Sequence, residues 1–308
     1  DLPAAELRTL LIEGSEAAVG PIGRALNDRG FRLPPVPNLF FTRDIGMVIG
    51  EHAVIGSMRH EARWSEELLI KALFCYHPEL ENAGVLYDGS EERRLAYSLE
   101  GGDVHRLRHD LVVIGYSSRS SPAALDHLCD QLFEHTEVRD ALVVVMPGET
   151  TAIHLDMIFT MIDRELGVVF PPYFIGAERL GVLHRSKNSH VAKEMPSFFG
   201  ALSAVDFRFE PLLCGGPDRA SQEREQWSSG CNMVALRPGV VLSYKRNDAT
   251  LAEAEKAGFR IVDGLEFLAA DASIDDDEKA IITIEGSELV RGGGGPRCMT
   301  MPLRRADL

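Results

Sequence analysis

A single cysteine follows a run of four glycines in the stretch RGGGGPRCMT at residues 291–300. Glycine loses more conformational entropy on folding than any other residue, so such a run is expected where the backbone turns, approaches a ligand closely or moves. The thiol of Cys298 is therefore a candidate nucleophile, although free cysteines are also among the most buried residues. The candidate loop before it consists of Gly292, Gly293, Gly294 and Gly295.

Polar residues suited to acid–base chemistry precede short apolar strands at several other points. Each of these leading residues is followed by a strand, a glycine-containing turn and a second strand, and helical patterns follow at 64–74 and 122–133. The loose recurrence predicts five hairpin–helix–strand units around a common axis, which would bring the leading residues into one pocket. These residues are Asp44, Glu100 with Asp103, His154 with Asp156, Asn232 and Cys298.

Residues 1–33 precede these units and carry apolar residues at helical spacing up to Gly30. We expect this segment to be helical and to be the remnant of a longer N-terminal helical region. Prolines at positions 34, 35 and 37 then interrupt the pattern. The sequence predicts one catalytic domain over residues 34–308, without a second boundary.

Composition restricts the partners. The formal charge of −15 argues against nucleic acid, because binding to a polyanion depends on lysine and arginine. No apolar run is long enough to span a membrane. The five cysteines form no Cys-x-x-Cys pair, which favours free thiols and a cytoplasmic location. The sequence leaves a homo-oligomer open and favours a small cationic or zwitterionic substrate.

A pocket that holds Cys298, His154 and several carboxylates would suit attack on a cation. A histidine within hydrogen-bond reach can assist a thiol and carry protons, whereas carboxylates raise the pKa of a resting thiol. A cationic substrate would neutralise those carboxylates as it binds. Planar guanidinium is the natural candidate, because its N–H groups match carboxylates two at a time.

Each leading residue also has a plainer interpretation. His154, flanked by Ile153 and Leu155, could be a satisfied core histidine, and Asp44 could cap a turn. The stretch EGGD at 100–103 could be a tight turn. A metal pair of His154 and Asp156 lacks further ligands at suitable spacing, so no metal site is predicted. The combination of these residues, each before a strand, favours catalysis over the separate explanations.

Six motifs together resemble the arginine deiminases of the guanidine-modifying enzyme superfamily. The resemblance extends over about residues 34–308, and the motifs fall in the family's order. It implies a five-bladed α/β propeller, the pentein fold, and hydrolysis of L-arginine to L-citrulline and ammonia without a cofactor. The motifs are PNLFFTRD at 37–44, LEGGD at 99–103, HLDMIFT at 154–160, REQW at 224–227, PGVV at 238–241 and RCMT at 297–300.

The same resemblance implies a role for each matching residue. Cys298 is the nucleophile, which forms a covalent thiouronium intermediate, and His154 is the general acid and base. The other matching positions are Asp44 and Asp156 for the guanidinium nitrogens, Glu100 for the guanidinium and the histidine, Arg63 and Arg119 for the substrate α-carboxylate, and Asn38 and Phe41 for the pocket lining.

The chain departs from the family pattern around the nucleophile. Gly293 stands where an arginine is usual, and Val290 replaces a common glycine. Arg297 stands where a histidine is frequent, and Met301 where a second cysteine is common. An N-terminal strand of the family is also expected to be missing, which would leave the last blade incomplete. Three alternatives to the deiminase use the same pocket: an amidinotransferase, an arginine dihydrolase and a silent arginine-binding pseudoenzyme.

Overall fold

The computed structural model describes residues 2–26, 30–81, 84–91 and 97–305, and its N-terminal segment contains two short helices and a small antiparallel sheet. The prediction of one helix over 1–33 is wrong, and its residues 1 and 27–29 lie outside the described ranges. Gly14 ends the first helix with a φ of 75°, and any side chain there would overlap the backbone of Leu33. The elements are α1 (Ala4–Glu13), β1 (Ser15–Glu16), α2 (Pro21–Ala25) and β2 (Phe31–Leu33).

Four hairpin–helix–strand units follow. In each unit the hairpin is antiparallel, and a strand after the helix pairs in parallel with the second hairpin strand. The first unit consists of α3 (Thr42–Ile45), β3 (Gly46–Ile49), β4 (His52–Ile55), α4 (Trp64–Tyr76) and β5 (Val85–Asp88). The second consists of β6 (Val104–Arg108), β7 (Leu111–Tyr116), α5 (Pro122–His135) and β8 (Asp140–Val145).

The third and fourth units vary this plan. The third contains β9 (Phe159–Met161), β10 (Leu166–Val169), α6 (Pro171–Phe174), β11 (Val182–Ser186), β12 (Lys193–Met195), α7 (Phe198–Ala204) and β13 (Glu210–Leu213). Strands β11 and β12 extend the sheet of the second unit to the order β12-β11-β8-β7-β6. The fourth contains α8 (Arg219–Trp227), β14 (Val234–Arg237), β15 (Val240–Tyr244), α9 (Asp248–Lys256), β16 (Arg260–Asp263), α10 (Gly264–Leu268) and β17 (Ala280–Ile284).

The predicted hairpins and the helices at 64–74 and 122–133 are confirmed. Residues 298–305, where a fifth unit was expected, contain no strand within the described part of the chain. The protein therefore has a mixed α/β fold of several separate sheets. None of the helices described in the structure is long and apolar enough to cross a membrane.

Helix α5 shows how the units are held together. Pro122 occupies its first turn, where a missing N–H costs nothing, and its buried residues recur every three or four positions. Burial of each large apolar side chain contributes about 1.5–3 kcal/mol. These side chains form one of three apolar clusters together with residues of β6, β7 and neighbouring strands. The helix is thereby held against one face of the sheet. The buried residues of α5 are Ala124, Leu125, Leu128, Cys129, Leu132 and Phe133.

The leading residues lie at turns that directly precede the hairpins. Asp44 lies in α3, immediately before β3. A single helical turn over Gly101–Asp103 follows Glu100 and precedes β6, and another over Leu155–Met157 follows His154 and precedes β9. The same step of each unit therefore presents its polar residues, as the repeat pattern predicts.

Candidate active site

A cavity of about 850 Å³ collects side chains from all four units and from the segment that contains Cys298. Asp44, His154 and Cys298 line it directly. Glu100 and Asp156 are not part of the lining and lie fully buried behind it. The other predicted residues that line the cavity are Asn38, Phe41, Arg63, Arg119, Gly292, Gly293 and Gly294.

Cys298 is held against Asp156 by Asn232. Its Sγ lies 3.9 Å from Asp156 Oδ2 and 4.0 Å from Oδ1, at the distance of a thiol–carboxylate hydrogen bond. Asn232 accepts the backbone N–H of Cys298 at 3.1 Å and donates its own amide to the carbonyl oxygen of Asp156 at 3.0 Å. Burial, together with the Asp156 and Asp44 carboxylates, raises the pKa of Cys298 well above its usual value, so the resting group is a thiol.

His154 lies between two carboxylates. Its Nε2 is 2.8 Å from Glu100 Oε2, and its Nδ1 is 3.7 Å from Asp44 Oδ1. Burial opposes the charged imidazolium, but Asp44 and Glu100 outweigh it and raise the pKa of His154 to about 10. Burial is also the largest influence at Glu100, but the hydrogen bond and charge of His154, together with Arg119 and the backbone N–H of Arg59, outweigh it and lower the pKa of that carboxyl. The resting cavity is therefore lined by an imidazolium and a neutral thiol.

Asp103 positions this histidine from behind. Its carboxylate accepts the hydroxyls of Ser117 and Ser120, each at 2.6 Å, and the backbone N–H of Leu155 at 2.9 Å. These bonds connect the turn before β6, the loop after β7 and the turn that carries His154. Burial raises the pKa of Asp103 to about 6. Asp103 thus holds the His154 turn in place. The sequence pattern had named it only together with Glu100, as a leading residue.

Arg63 is almost fully engaged by protein groups. Its Nη1 donates to Asp44 Oδ2 at 2.6 Å, and its Nε and Nη2 donate to Glu66 Oε2 at 2.9 and 2.7 Å. The carbonyl oxygen of Phe41 accepts Nη2 at 3.1 Å. Glu66 and Asp44 outweigh the effect of burial and raise the pKa of Arg63. Arg63 therefore neutralises the side of Asp44 that faces away from His154.

Arg119 lines the same cavity and has fewer hydrogen bonds to protein groups. Its Nη1 lies 3.2 Å from Glu100 Oε2, the oxygen that also contacts His154. About 18% of its side chain is exposed, against 8% for Arg63. Arg119 is therefore the predicted carboxylate-binding arginine with room to meet a ligand without first losing several partners.

The glycine loop passes very close to the pocket residues. A Cβ at Gly294 would lie 2.6 Å from the Phe41 ring, and one at Gly295 would lie 2.7 Å from Asn232. Gly293 has a φ of 83° and open space around it. Close approach explains two of the four glycines and a left-handed turn explains a third. Closure of the loop over a ligand stays a prediction.

Several site residues were not identified from the sequence, and two of them hold predicted residues in place. Arg43 is fully buried, donates Nε to the carbonyl oxygen of Arg297 at 3.2 Å and gives its backbone N–H to the carbonyl oxygen of Cys298 at 3.1 Å. Glu66 holds Arg63 and the backbone N–H of Asn38. Its position three residues after Arg63, at the start of α4, was a signal for this pairing.

Three ligand atoms of Asp44, Glu100 and His154 lie within 4.8 Å of one another, a spacing compatible with a metal ion. Arg63 and Arg119 already bind the two carboxylates, and the charged histidine donates a hydrogen bond to Glu100. A divalent metal ion would be repelled by these three cations. A singly charged guanidinium is repelled less and can bind the free oxygen of Asp44 through its N–H groups, so the group favours an organic cation. The absence of a metal stays a prediction.

Comparison with known proteins identifies the family. The arginine deiminase family model matches residues 15–305. The chain belongs to the arginine deiminase family. Among its relatives, the arginine deiminase of Bacillus cytotoxicus is 33% identical over 293 residues, and that of Streptococcus uberis is 33% identical over 287 residues. These alignments cover 90% and 92% of this family member but only 64% of each relative, so the chain spans less than two thirds of their length.

Solved structures show the same fold at low sequence identity. The product-bound N-terminal domain of ArgZ, a cyanobacterial arginine dihydrolase, aligns with a TM-score of 0.54 at 16% identity, over 92% of this arginine deiminase family member and 84% of that domain. An adduct of dimethylarginine dimethylaminohydrolase aligns with a TM-score of 0.52 at 17% identity, over 90% and 86%. The likeness supports the mixed α/β architecture.

Proposed function

We propose that this protein hydrolyses L-arginine to L-citrulline and ammonia through a covalent thiouronium on Cys298. Membership of the arginine deiminase family supports the reaction class. The observation that carries the proposal is the placement of the Cys298 thiol and the His154 imidazolium in one cavity with an unsatisfied carboxylate oxygen. That oxygen is Asp44 Oδ1, which is buried and has no hydrogen-bond partner among the described residues.

The carboxylates bind the substrate, and substrate binding allows the Cys298 thiol to lose its proton. The guanidinium donates to Asp44 Oδ1 and to Asp156, and its charge offsets the two carboxylates that keep the thiol protonated. The thiol proton then passes to Asp156, the acceptor that Sγ faces at 3.9 Å. Arg119 binds the α-carboxylate of the substrate, and Arg63, which lies beside Phe41, adds its positive charge to the same binding. Glu100 supports the histidine.

The first half of the reaction releases ammonia. The thiolate attacks the guanidinium carbon, which forms the S–C bond and a neutral tetrahedral adduct. The His154 imidazolium donates its proton to one amino group, and the C–N bond to that group breaks. Ammonia leaves and a thiouronium cation stays on Cys298. A histidine with a raised pKa is suited to this step, because it is protonated before the substrate arrives.

The second half adds water. Neutral His154 takes a proton from water, and the hydroxide adds to the thiouronium carbon. Collapse of this second adduct forms the carbonyl of citrulline and breaks the S–C bond. The hydroxyl proton is released to solvent, where the ammonia set free in the first half is protonated to ammonium, and Cys298 recovers its proton from Asp156. Fixed carboxylates and donors supply the electrostatic stabilisation in both halves.

We also propose that the four units and the segment that contains Cys298 surround the pocket in the arrangement of a five-bladed propeller, whose fifth position has no strand among residues 298–305. The four observed repeats and the likeness to the ArgZ domain support this arrangement. The catalytic residues all lie within residues 34–308, so we propose this range as the catalytic domain and residues 1–33 as an appended segment. All five cysteines are free thiols, which agrees with a cytoplasmic enzyme.

Product analysis tests the function. The protein is incubated with L-arginine, with and without an amine acceptor, and citrulline, ornithine and transferred amidine are quantified. We expect citrulline and ammonia in equal amounts, unaffected by the acceptor or by a metal chelator, and no product from Cys298→Ala. Ornithine would indicate a dihydrolase, and amidine transfer an amidinotransferase. Arginine binding without any product would indicate a pseudoenzyme and contradict the proposal.

A further inference from the structure

Arg297, the residue before the nucleophile, lies on the side of Asp156 that faces away from the cavity. Its Nε is 3.5 Å from Asp156 Oδ2, and it does not line the pocket. That Nε is buried and has no hydrogen-bond partner among the residues described in the structure. The backbone around it is fixed, because its carbonyl oxygen accepts Arg43 Nε at 3.2 Å and the N–H of Thr300 at 3.0 Å.

The surroundings of Asp156 leave Arg297 as its nearest cation. Cys298 Sγ is in contact with the carboxylate at 3.9 Å, and Asn232 binds only its backbone. The other charged groups that act on it are His154, Asp44 and Arg43. Burial raises the pKa of Asp156, and Arg297 is the strongest influence in the opposite direction.

We propose that Arg297 is a positioning residue that keeps the Asp156 carboxylate ionised and directed at Cys298. The inference rests on the proposed function, in which this carboxylate receives both a guanidinium nitrogen and the thiol proton. A protonated Asp156 could do neither. Arg297 thus acts through Asp156 and has no contact of its own with the substrate cavity.

Binding of L-arginine measured against pH tests this role. The measurements use Cys298→Ala, which removes the chemistry and leaves the ion pair in place, and the same chain with Arg297→Gln or Arg297→Lys. An opposite charge at this range moves a carboxyl pKa by about one to three units. We expect Arg297→Gln to move the acid midpoint of binding upward by about that amount. Arg297→Lys, whose nitrogen lies one bond beyond the place of Nε, should restore most of the shift.

Two outcomes would overturn the inference. Equal acid midpoints with and without the Arg297→Gln substitution would show that the guanidinium does not control Asp156. A loss of affinity at all pH values with an unchanged midpoint would assign Arg297 a structural role only. If Cys298→Ala binds no arginine, the proposed function fails separately. The carboxyl ¹³C shift of Asp156, assigned with Asp156→Asn, then reports the same titration without ligand.

A second comparison tests the role of Arg297 if the single variant is unstable. Should Arg297→Gln fold too poorly for titration, the substitution is repeated in an Asp156→Asn chain. When the guanidinium serves to neutralise Asp156, the asparagine removes the charge that Arg297→Gln leaves unpaired, and the double variant should melt no lower than Asp156→Asn alone, which leaves the buried guanidinium without its partner. A double variant that is still unfolded would contradict the proposed role of Arg297.

Discussion

Arg63 and Arg119 are the two arginines predicted to hold the substrate carboxylate, and the structure gives them different surroundings. Arg63 is buried and bound to Asp44, Glu66 and the carbonyl oxygen of Phe41. Arg119 is partly exposed, and its guanidinium contacts Glu100, which also binds His154. Two arginines with the same predicted role thus differ: protein groups hold the Arg63 guanidinium in place, whereas the Arg119 guanidinium has fewer partners.

The difference separates stability from recognition. Removing Arg63 leaves buried carboxylates without their common cation, whereas removing the partly exposed Arg119 leaves Glu100 still bound to His154. We therefore expect the Arg63 side to support the shape of the site and the Arg119 side to recognise the substrate. Asp44 connects the two sides, because one of its oxygens binds Arg63 and the other faces His154.

The largest effect is expected from Arg63→Ala. The substitution leaves Asp44 and Glu66 buried without their common cation, so the free energy of unfolding should fall by about 3–5 kcal/mol. Urea unfolding measures this loss, and Arg119→Ala, expected to lose no more than about 1 kcal/mol, is the matched control. Equal losses in the two variants would remove the distinction between the sides.

Arg119→Ala should act on recognition. A hydrogen bond to a charged group contributes about 1.5–3 kcal/mol, so kcat/KM for L-arginine should fall by roughly 10- to 150-fold. Agmatine, which is arginine without the carboxylate, should be a poor substrate for the parent and scarcely worse for the variant. If both substrates lose equally, Arg119 supports structure or catalysis. A parent that prefers agmatine would overturn arginine as the substrate.

The pH dependence of stability should differ between the sides. The pKa of His154 is raised to about 10 in the folded protein, above the unfolded value of about 6.5. Its stabilising contribution is therefore complete below the unfolded pKa and is lost as the pH rises through about 10. The stability difference between the parent and His154→Gln should shrink over that window. The difference for Arg63→Ala should stay constant, because guanidinium does not titrate there, and a parallel decline would contradict this contrast.

The smallest effect is expected in the glycine loop. A Cβ at Gly294 would lie 2.6 Å from the Phe41 ring and 3.0 Å from Cys298 Cβ, so Gly294→Ala should displace Phe41 and lower kcat/KM. Gly293→Ala is the control, because its left-handed backbone adds about 1–2 kcal/mol of strain without a contact in the pocket. A larger kinetic loss at Gly293 would show that loop conformation matters more than the contact with Phe41.

The sequence was informative where chemistry and local pattern coincide. Asp44, Glu100, His154 and Cys298 each stand directly before or within a turn, and alternating apolar residues identify the hairpins that follow most of them. Their convergence followed from the repetition of the unit. The N-terminal helix was wrong because Gly14 reverses the chain there, which helical spacing alone does not reveal.

The ion-pair partners were harder to predict, because they depend on contacts between distant parts of the chain. Nothing near Asp156 in the sequence indicates that Arg297 lies beside it. The burial of Arg63 depends on how α4 meets α3, which packing decides. The motifs therefore predicted that Arg63 lines the cavity, but they did not predict how tightly other side chains hold it.

Mass spectrometry of Cys298 after rapid acid quench tests the central claim most directly. During turnover of L-arginine, the peptide that contains Cys298 should carry a mass increment equal to arginine less ammonia, and citrulline should accumulate. Cys298→Ser, nearly isosteric but a far weaker nucleophile, should show neither while keeping its fold. Citrulline formation with no increment on Cys298 at any quench time, or Cys298→Ser turnover within about tenfold of the parent, would contradict the covalent route.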